Sequence, residues 1–245
     1  MKLKTTILAA FAALVAAPIS AAADVVVGAP ADPGTGNCIP FGCTIWGDEY
    51  QQVYASTDFP GPITITDLEF YNTQVLGGSP NFGVYTISLS TTSAAVDGLD
   101  TADLSLNIGP DNTIVYSDNH LPSLSGGVLR FILSTPFTYN PADGNLLMDV
   151  ASPENEETDF LRLDARNGTA LGLFSRAETP GFGDPASFLG WGLVTGFSTA
   201  SIPEPSTWAM TLVGFGGLGY AGFRTAGRSM GRRTRGNAAG VVRGA

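Results

Sequence analysis

A single histidine limits the acid–base chemistry that this chain could perform. His120 lies in the sequence SDNHLPSLSGG, after Asp118 and before the hydroxyls of Ser123 and Ser125. A nucleophilic triad needs a hydroxyl, an imidazole and a carboxylate, so these residues supply the right types. Neither serine stands in the G-x-S-x-G turn that exposes a nucleophile. We therefore predict a surface-loop histidine without a catalytic role.

Paired carboxylates could support a second chemistry, the hydrolysis of glycosidic bonds. The densest acidic run is PENEETD, which contains Glu154, Glu156, Glu157 and Asp159. Nothing in this spacing places two acids on opposite sides of a cleft, and the run is typical of a solvated loop between strands. We predict that the protein is not an enzyme, and a glycoside hydrolase remains the third alternative.

Acidic turns offer oxygen ligands for a divalent cation. These ligands are Asp97, Asp100, Asp103, Asp111, Asn112, Asp118 and Asn119. Calcium prefers such oxygens, but the spacing of an EF-hand and the calcium-binding nonapeptide repeat are both missing. We predict no metal site and no required cofactor, with a structural calcium ion as the alternative to plain acidic turns.

Aromatic side chains would bind carbohydrate if their rings were exposed. The aromatic residues considered are Trp46, Tyr50, Tyr54, Phe182, Phe188 and Trp191. Most of these should be core residues, because aromatic rings fill protein interiors. We expect any exposed ring within residues 180–192, and a binding role there rests on analogy of fold alone.

Cys38 and Cys43 are the only two cysteines and stand close together in NCIPFGC. In an exported protein such a pair is expected to form a disulfide. Because the closed loop is short, the bond should fix a local turn rather than hold the whole fold together. Free thiols are the alternative, and a metal site would need more ligands than one histidine supplies.

Short alternating segments separated by turn signals must position these residues. Nine strands are predicted, at 51–56, 63–71, 83–90, 113–116, 128–134, 145–151, 160–164, 171–176 and 189–197. A phase shift around Asp67 indicates a β-bulge, and Asn167-Gly168 between apolar runs predicts a hairpin. We predict an all-β fold for residues 24–200, an antiparallel β-sandwich resembling a jelly roll, followed by a linker at 198–202.

Charge excludes one class of partner. The 245-residue chain has 12 basic and 22 acidic residues, and 31 of its residues are glycine. Residues 24–202 contain 21 acids and four bases, a formal net charge of −17. A surface of this sign repels nucleic acid and anionic lipid. We therefore predict no nucleic-acid partner.

The first 23 residues are typical of an export signal. Lys2 and Lys4 precede an apolar stretch, Pro18 ends it, and three alanines at 21–23 form a site for signal peptidase. The stretch is shorter than the roughly 20 residues of a membrane span. We predict a signal helix that the secretion machinery recognises and that is cleaved after residue 23, with a membrane anchor as the alternative.

A second apolar segment, residues 207–223, has no charged side chain and contains five glycines. A run of arginines follows it: Arg224, Arg228, Arg232, Arg233 and Arg235. Positively charged residues that flank a membrane helix keep that end of the helix in the cytoplasm. We predict a transmembrane helix, a stop-transfer signal at these arginines and a basic cytoplasmic tail at 225–245.

The residues before and within this segment resemble a known sorting signal. Pro203, Glu204 and Pro205 precede Trp208-Ala209, a glycine-rich span and arginine. This order resembles the PEP-CTERM sorting signal of exported bacterial proteins in its PEPxxWA form, over residues 201–224. The resemblance implies recognition and cleavage by an exosortase in a Gram-negative bacterium that makes exopolysaccharide. Segments between residues 38 and 150 loosely resemble the ectodomains of other such proteins, which implies no activity.

Together these features predict an exported, non-catalytic surface or extracellular-matrix protein. It would pass through an inner-membrane intermediate and then reside at the cell surface or outside the cell. The main alternative is a carbohydrate-binding module that acts on exopolysaccharide.

Overall fold

The computed structural model describes residues 24–43, 49–156, 160–179 and 187–200. Within these ranges the chain forms thirteen β-strands and three short 3-10 turns. The strands are β1 (Val25–Val27), β2 (Gly36–Asn37), β3 (Glu49–Tyr54), β4 (Ile63–Tyr71), β5 (Phe82–Thr92), β6 (Thr113–His120), β7 (Val128–Tyr139), β8 (Asn145–Glu156), β9 (Leu163–Asn167), β10 (Phe174–Glu178), β11 (Ser187–Leu189), β12 (Trp191–Leu193) and β13 (Thr195–Ala200). The turns are Ser56–Asp58, Leu104–Asn107 and Thr169–Leu171.

The strands form two larger sheets and one small sheet, and every pairing is antiparallel. The four-stranded sheet has the order β1-β13-β4-β7, the six-stranded sheet β11-β10-β3-β8-β5-β6, and the small sheet β12-β9-β2. The prediction of an all-β, antiparallel fold is therefore confirmed.

Apart from the neighbours β5 and β6, which share a sheet, the successive strands of the sandwich alternate between the two larger sheets. Counting only β1, β3–β8 and β13 in chain order, the sheets have the orders 1-8-3-6 and 2-7-4-5, which is the interleaved order of a jelly roll. Strands β9 to β12 are inserted before the last strand. Because β13 lies inside its sheet, the four-stranded sheet is complete only when the last described residues are in place.

The core lies between the facing sides of the two larger sheets. Tyr85, Ile87 and Leu89 alternate along β5 and are fully buried there, as the sequence pattern predicts. Rings meet across the sandwich, with Tyr54 of β3 and Phe197 of β13 edge to face at 5.0 Å. Such contacts add to the free energy gained by burying the rings.

A second, smaller core lies on the outer side of the six-stranded sheet. The segment between β5 and β6, residues 93–112, folds back over this side and carries one of the 3-10 turns. Its Leu99 and Leu104 pack with Val53, Leu147 and Ala177 of the sheet. Ser88 and Ser90 lie on the polar side of β5, and they are buried because this segment covers them.

Cys38 and Cys43 are joined by a disulfide, with their Cα atoms 5.1 Å apart. The loop that they close carries Phe41 into the main core, where its side chain is fully buried. Its ring centroid lies 5.0 Å from that of Phe70 in β4 and 5.9 Å from that of Tyr85 in β5. The loop therefore does more than fix a local turn, because its central side chain joins both sheets.

One prediction about the turns is confirmed and one is wrong. The β4–β7 register shifts between Ile65 and Asp67, which is the predicted bulge. The predicted hairpin at Asn167-Gly168 is not formed, because β9 pairs with β2 and β12 instead of β10.

The backbone of Gly168 explains the absence of that hairpin. Its φ is −72°, whereas a two-residue type I′ turn needs positive φ at both positions. A Cβ at Gly168 would lie 2.2 Å from the Phe174 ring, and its N–H donates to Gly190 O at 2.9 Å. Glycine is needed here for close packing rather than for an unusual backbone conformation.

The last strand extends into the predicted linker. Residues 198–200 belong to β13, so the predicted linker at 198–202 is wrong for that part. Among the described residues no helix is long and apolar enough to cross a membrane. The predicted signal helix and transmembrane helix both lie outside these residues.

Candidate functional site

A shallow groove lies where β5 begins and β6 ends. These strands are antiparallel, and Phe82 at the start of β5 pairs with His120 at the end of β6. The segments that lead into β5 and out of β6 must therefore lie side by side at one end of the sheet. Residues 78–82 and 120–124 line the resulting groove, which has a volume of about 330 Å³.

One of the residues that line the groove, Asn81, is buried, and its exposed fraction is only 1%. Its backbone N–H donates to Phe41 O at 2.8 Å, which connects the groove to the disulfide loop. Neither the amide oxygen nor the amide nitrogen of its side chain completes a hydrogen bond. Leaving buried polar atoms unpaired costs about 1–3 kcal/mol per group.

The buried hydroxyl beside this amide belongs to Tyr85. It donates to Pro40 O at 3.4 Å. Burial raises the pKa of Tyr85, while the neighbouring side chains of Ser152 and Asn81 oppose that rise. The Asn81 amide is therefore near a polar group, although it makes no hydrogen bond of acceptable geometry.

An exposed ring stands at the edge of the groove. Phe82 is 60% exposed, although it belongs to a strand, and Val84 two residues later is also exposed. The described lining residues include serine, asparagine, histidine, proline and leucine but no charged side chain. The described lining of the groove therefore combines apolar side chains with uncharged polar ones.

The residues proposed for a triad do not form one. His120 is the last residue of β6 rather than a loop residue, and its ring Nδ1 lies 2.6 Å from Asn119 Oδ1. Asp118 Oδ1 accepts from the backbone N–H of His120 and does not orient its ring. Ser125 forms a turn with Val128. Among the described residues, no carboxylate therefore orients the His120 ring as a catalytic triad requires.

The acidic run that begins at Glu154 was predicted to be a solvated loop, but its first part belongs to a strand. Glu154 and Glu156 lie in β8, with backbones in register with Val84 and Phe82, so that part is a strand and not a loop. The antiparallel pairing with β5 extends β8 to this point. Glu157 and Asp159 lie outside the described residues.

The carboxylates of the acidic turns accept hydrogen bonds from other groups of the protein. Asp100 Oδ1 accepts from the N–H groups of Ala102 and Asp103, and Asp103 Oδ1 accepts from Ser105. Asp111 Oδ1 accepts from the N–H of Thr91 at 2.7 Å. No group of three or more His, Cys, Asp or Glu side chains in the described parts of the chain could hold a metal ion.

The aromatic residues considered above have separate positions. Tyr50 and Tyr54 are fully buried core residues, whereas Trp191 of β12 is 40% exposed. Trp191 thus agrees with the expectation of an exposed ring within 180–192. Trp46, Phe182 and the side chain of Phe188 lie outside the described part of the chain. The exposed Phe82 was not anticipated, because its position follows from strand register.

A carboxyl pair that the sequence did not indicate lies on the outer side of the six-stranded sheet. Asp149 of β8 is directly opposite Gln51 of β3, and Glu49 is two residues from Gln51 on the same side. Gln51 Nε2 donates to Glu49 Oε1 at 3.0 Å and to Leu104 O at 3.1 Å. The pair therefore lies next to the segment that covers this side of the sheet.

Both carboxyl groups hold their protons more strongly than usual. Burial and then the neighbouring Glu49 charge raise the pKa of Asp149 to about 7. Burial likewise raises the pKa of Glu49, and the charge of Asp103 acts in the same direction. Two close carboxyl groups are best accommodated when they share a proton.

This pair predicts a pH dependence of stability. A folded-state pKa above the unfolded value of about 4 means that the native state binds more protons, so stability falls as pH rises from about 4 to 7. Asp149→Asn should therefore be more stable than wild type at pH 8, with little difference at pH 4. Urea unfolding midpoints at both pH values measure this. Equal effects at both, or the same effect from Asp143→Asn at the surface, would contradict it.

The sorting residues lie outside the described part of the chain, and the comparison with protein families bears on them instead. Residues 201–228 match the family model of the PEP-CTERM protein-sorting motif. The match contains Pro203, Glu204, Pro205, Trp208 and Ala209. The chain therefore carries this sorting motif, which implies an exported protein processed by an exosortase at the membrane.

The body of the protein has no such match. No curated protein matches the chain, and no solved structure does. The loose resemblance of residues 38–150 to other ectodomains therefore gains no support. The function of the body must be argued from its own geometry.

Proposed function

We propose that the protein is an exported, non-catalytic component of the cell surface or extracellular matrix, delivered there by exosortase processing. The observation that carries this proposal is the sorting motif at residues 201–228. The motif begins directly after Ala200, the last residue of β13. The folded body would accordingly be followed by the processing site with almost no linker.

The arrangement of the body supports this role. Asp24, the first residue after the predicted signal peptide, accepts a hydrogen bond from the N–H of Thr199 at 3.1 Å. The predicted new N-terminus therefore lies beside the last residues that precede the sorting motif. A non-catalytic role is supported by the acidic turns, whose carboxylates accept hydrogen bonds from the protein itself, and by the His120 ring, which contacts Asn119 rather than a carboxylate.

The sorting motif makes a direct prediction. Glu204→Ala or Pro205→Ala should block processing and leave the melting temperature of the body unchanged, because both positions follow the last strand. Ser206→Ala is the matched control, since the PEPxxWA pattern leaves that position open. The intact mass of the protein from cells should increase by the retained C-terminal segment only in the first two variants. Wild-type mass in those two variants would contradict the proposal.

A second candidate function, carbohydrate binding, is favoured by the groove with its exposed Phe82. Its test is retention of the protein on exopolysaccharide from the producing cells, with and without EDTA. Retention in both conditions supports metal-independent glycan binding, and loss of retention in EDTA would require a cation. No retention in either condition contradicts carbohydrate binding and leaves the surface role intact.

A further inference from the structure

We propose that the groove between residues 78–82 and 120–124 binds a neutral sugar residue of a polysaccharide. The Phe82 ring would stack on the C–H face of the sugar, and the Asn81 amide would hydrogen-bond to its hydroxyl groups. The proposal rests on carbohydrate binding as the second candidate function and assigns it a site.

The buried amide defines the chemistry of the ligand. Asn81 lines the groove, is 1% exposed, and has an unpaired donor and an unpaired acceptor. A carboxylate or phosphate would satisfy only the donor, and an ammonium group only the acceptor. A hydroxyl group both donates and accepts, so a ligand rich in hydroxyls satisfies both atoms of this amide.

The exposed ring adds a second requirement. Phe82 is 60% exposed and sits in register with His120 across the mouth of the groove. An exposed apolar ring next to a polar side chain in the same groove fits a ligand that has hydroxyls on its edges and C–H groups on its face. Sugar rings have this combination. The Nε2 atom of His120 could hydrogen-bond to such a hydroxyl, because Nδ1 already contacts Asn119 Oδ1 at 2.6 Å.

The charge around the groove selects against acidic sugars. The described lining has no arginine or lysine that could neutralise a carboxylate. Residues 24–202 carry a formal net charge of −17. A uronic acid polymer would be repelled by this field, whereas a neutral sugar would not.

The size and support of the groove also suit this ligand. Its volume of about 330 Å³ is near the lower end of small-ligand sites, which fits a short part of a polysaccharide chain. The backbone N–H of Asn81 donates to Phe41 O, and the Tyr85 hydroxyl donates to Pro40 O. The disulfide loop therefore holds the Asn81 backbone in place before any ligand arrives, which lowers the entropic cost of binding.

Calorimetric titration of the full-length protein tests the proposal. The protein is purified in a polyoxyethylene detergent, which contains no sugar. The probes are maltohexaose, cellohexaose, mannohexaose and a hexagalacturonate of equal length. The variants are Phe82→Ala, Asn81→Ala and Phe82→Trp, with Ile132→Ala as an exposed apolar control on the other sheet. Retention on the native exopolysaccharide is measured for the same proteins.

At least one neutral hexasaccharide should bind. If none does, the native polysaccharide should still retain the protein, and this retention should depend on Phe82. Phe82→Ala and Asn81→Ala should each weaken binding about tenfold or more, while Phe82→Trp and Ile132→Ala retain it. Asn81→Ala should melt no lower than wild type, because it removes unpaired buried atoms. That pattern distinguishes a ligand contact from a structural role.

Three results would overturn the proposal, and they separate it from the function on which it rests. Retention on polysaccharide that is unaffected by Phe82→Ala and Asn81→Ala would reject this groove while leaving carbohydrate binding in place. No binding of any probe and no retention would reject both. Tighter binding of the hexagalacturonate than of every neutral hexasaccharide would reject a neutral ligand.

Discussion

Replacing Phe41 with alanine should lower the free energy of unfolding by about 3–5 kcal/mol. The ring is fully buried and lies 5.0 Å from Phe70 and 4.9 Å from Phe131, centroid to centroid. These two partners lie in one sheet, and a third, Tyr85, lies in the other. The variant would leave a cavity where both sheets and the disulfide loop meet, and chemical denaturation measures the cost.

The chain offers a matched control for this substitution. Phe82→Ala removes the same atoms from a ring that is 60% exposed, so its stability should change by no more than about 0.5 kcal/mol. The two variants should therefore differ by several kcal/mol in stability. Similar losses in both, or a negligible loss for Phe41→Ala, would show that the disulfide loop does not carry a core side chain.

Gln52→Ala should lower the free energy of unfolding by about 2–5 kcal/mol, since it removes the hydrogen-bond acceptor of the Leu193 N–H and of the buried Tyr50 hydroxyl, and one of the two donors to Leu193 O. The amide of Gln52 is fully buried and exchanges two hydrogen bonds of 2.9 Å with the backbone of Leu193. It also accepts from the Tyr50 hydroxyl. This side chain thus completes the connection between β3 and β12, which belong to different sheets.

Two further substitutions make this prediction specific. Gln52→Glu has almost the same shape but should destabilise at least as much at pH 8, because an ionised carboxylate cannot donate to Leu193 O and is costly to bury. Gln74→Ala removes a more exposed glutamine amide and should change stability by no more than about 0.5 kcal/mol. Thermal unfolding of the three variants compares them. A Gln52→Ala variant as stable as Gln74→Ala would contradict a structural role for this amide.

Local patterns predicted much of the fold correctly. Alternation identified the buried side of β5, and the phase shift at Asp67 identified the bulge in β4. These features depend on neighbours along one strand, which the sequence displays directly. Each of the nine predicted strands overlaps at least one observed strand, although the last, 189–197, is divided among β11, β12 and β13.

Features that depend on which strands are neighbours could not be predicted in this way. The hairpin at Asn167-Gly168 failed because the small sheet provides β9 with other partners. The carboxyl pair Glu49–Asp149 required the pairing of β3 with β8. The disulfide loop was predicted only to fix a local turn, and the packing of the two sheets is what brings its Phe41 into the core.

The groove is the clearest example of this difference. Its two segments are about 40 residues apart in the sequence and meet because Phe82 and His120 are register partners. His120 was examined as a catalytic base because of its neighbours along the chain. The structure instead places it across from the exposed Phe82 ring and in the same groove as the buried Asn81, and the proposed sugar site rests on this arrangement.

The intact mass of the wild-type protein recovered outside the cytoplasm is the most direct test of export and sorting. Exosortase processing predicts a chain that begins at Asp24 and ends near Pro203–Pro205, without the apolar segment and the arginine-rich tail. A recovered protein that still contains residues 207–245, or that begins at Met1, would contradict the proposed delivery to the cell surface.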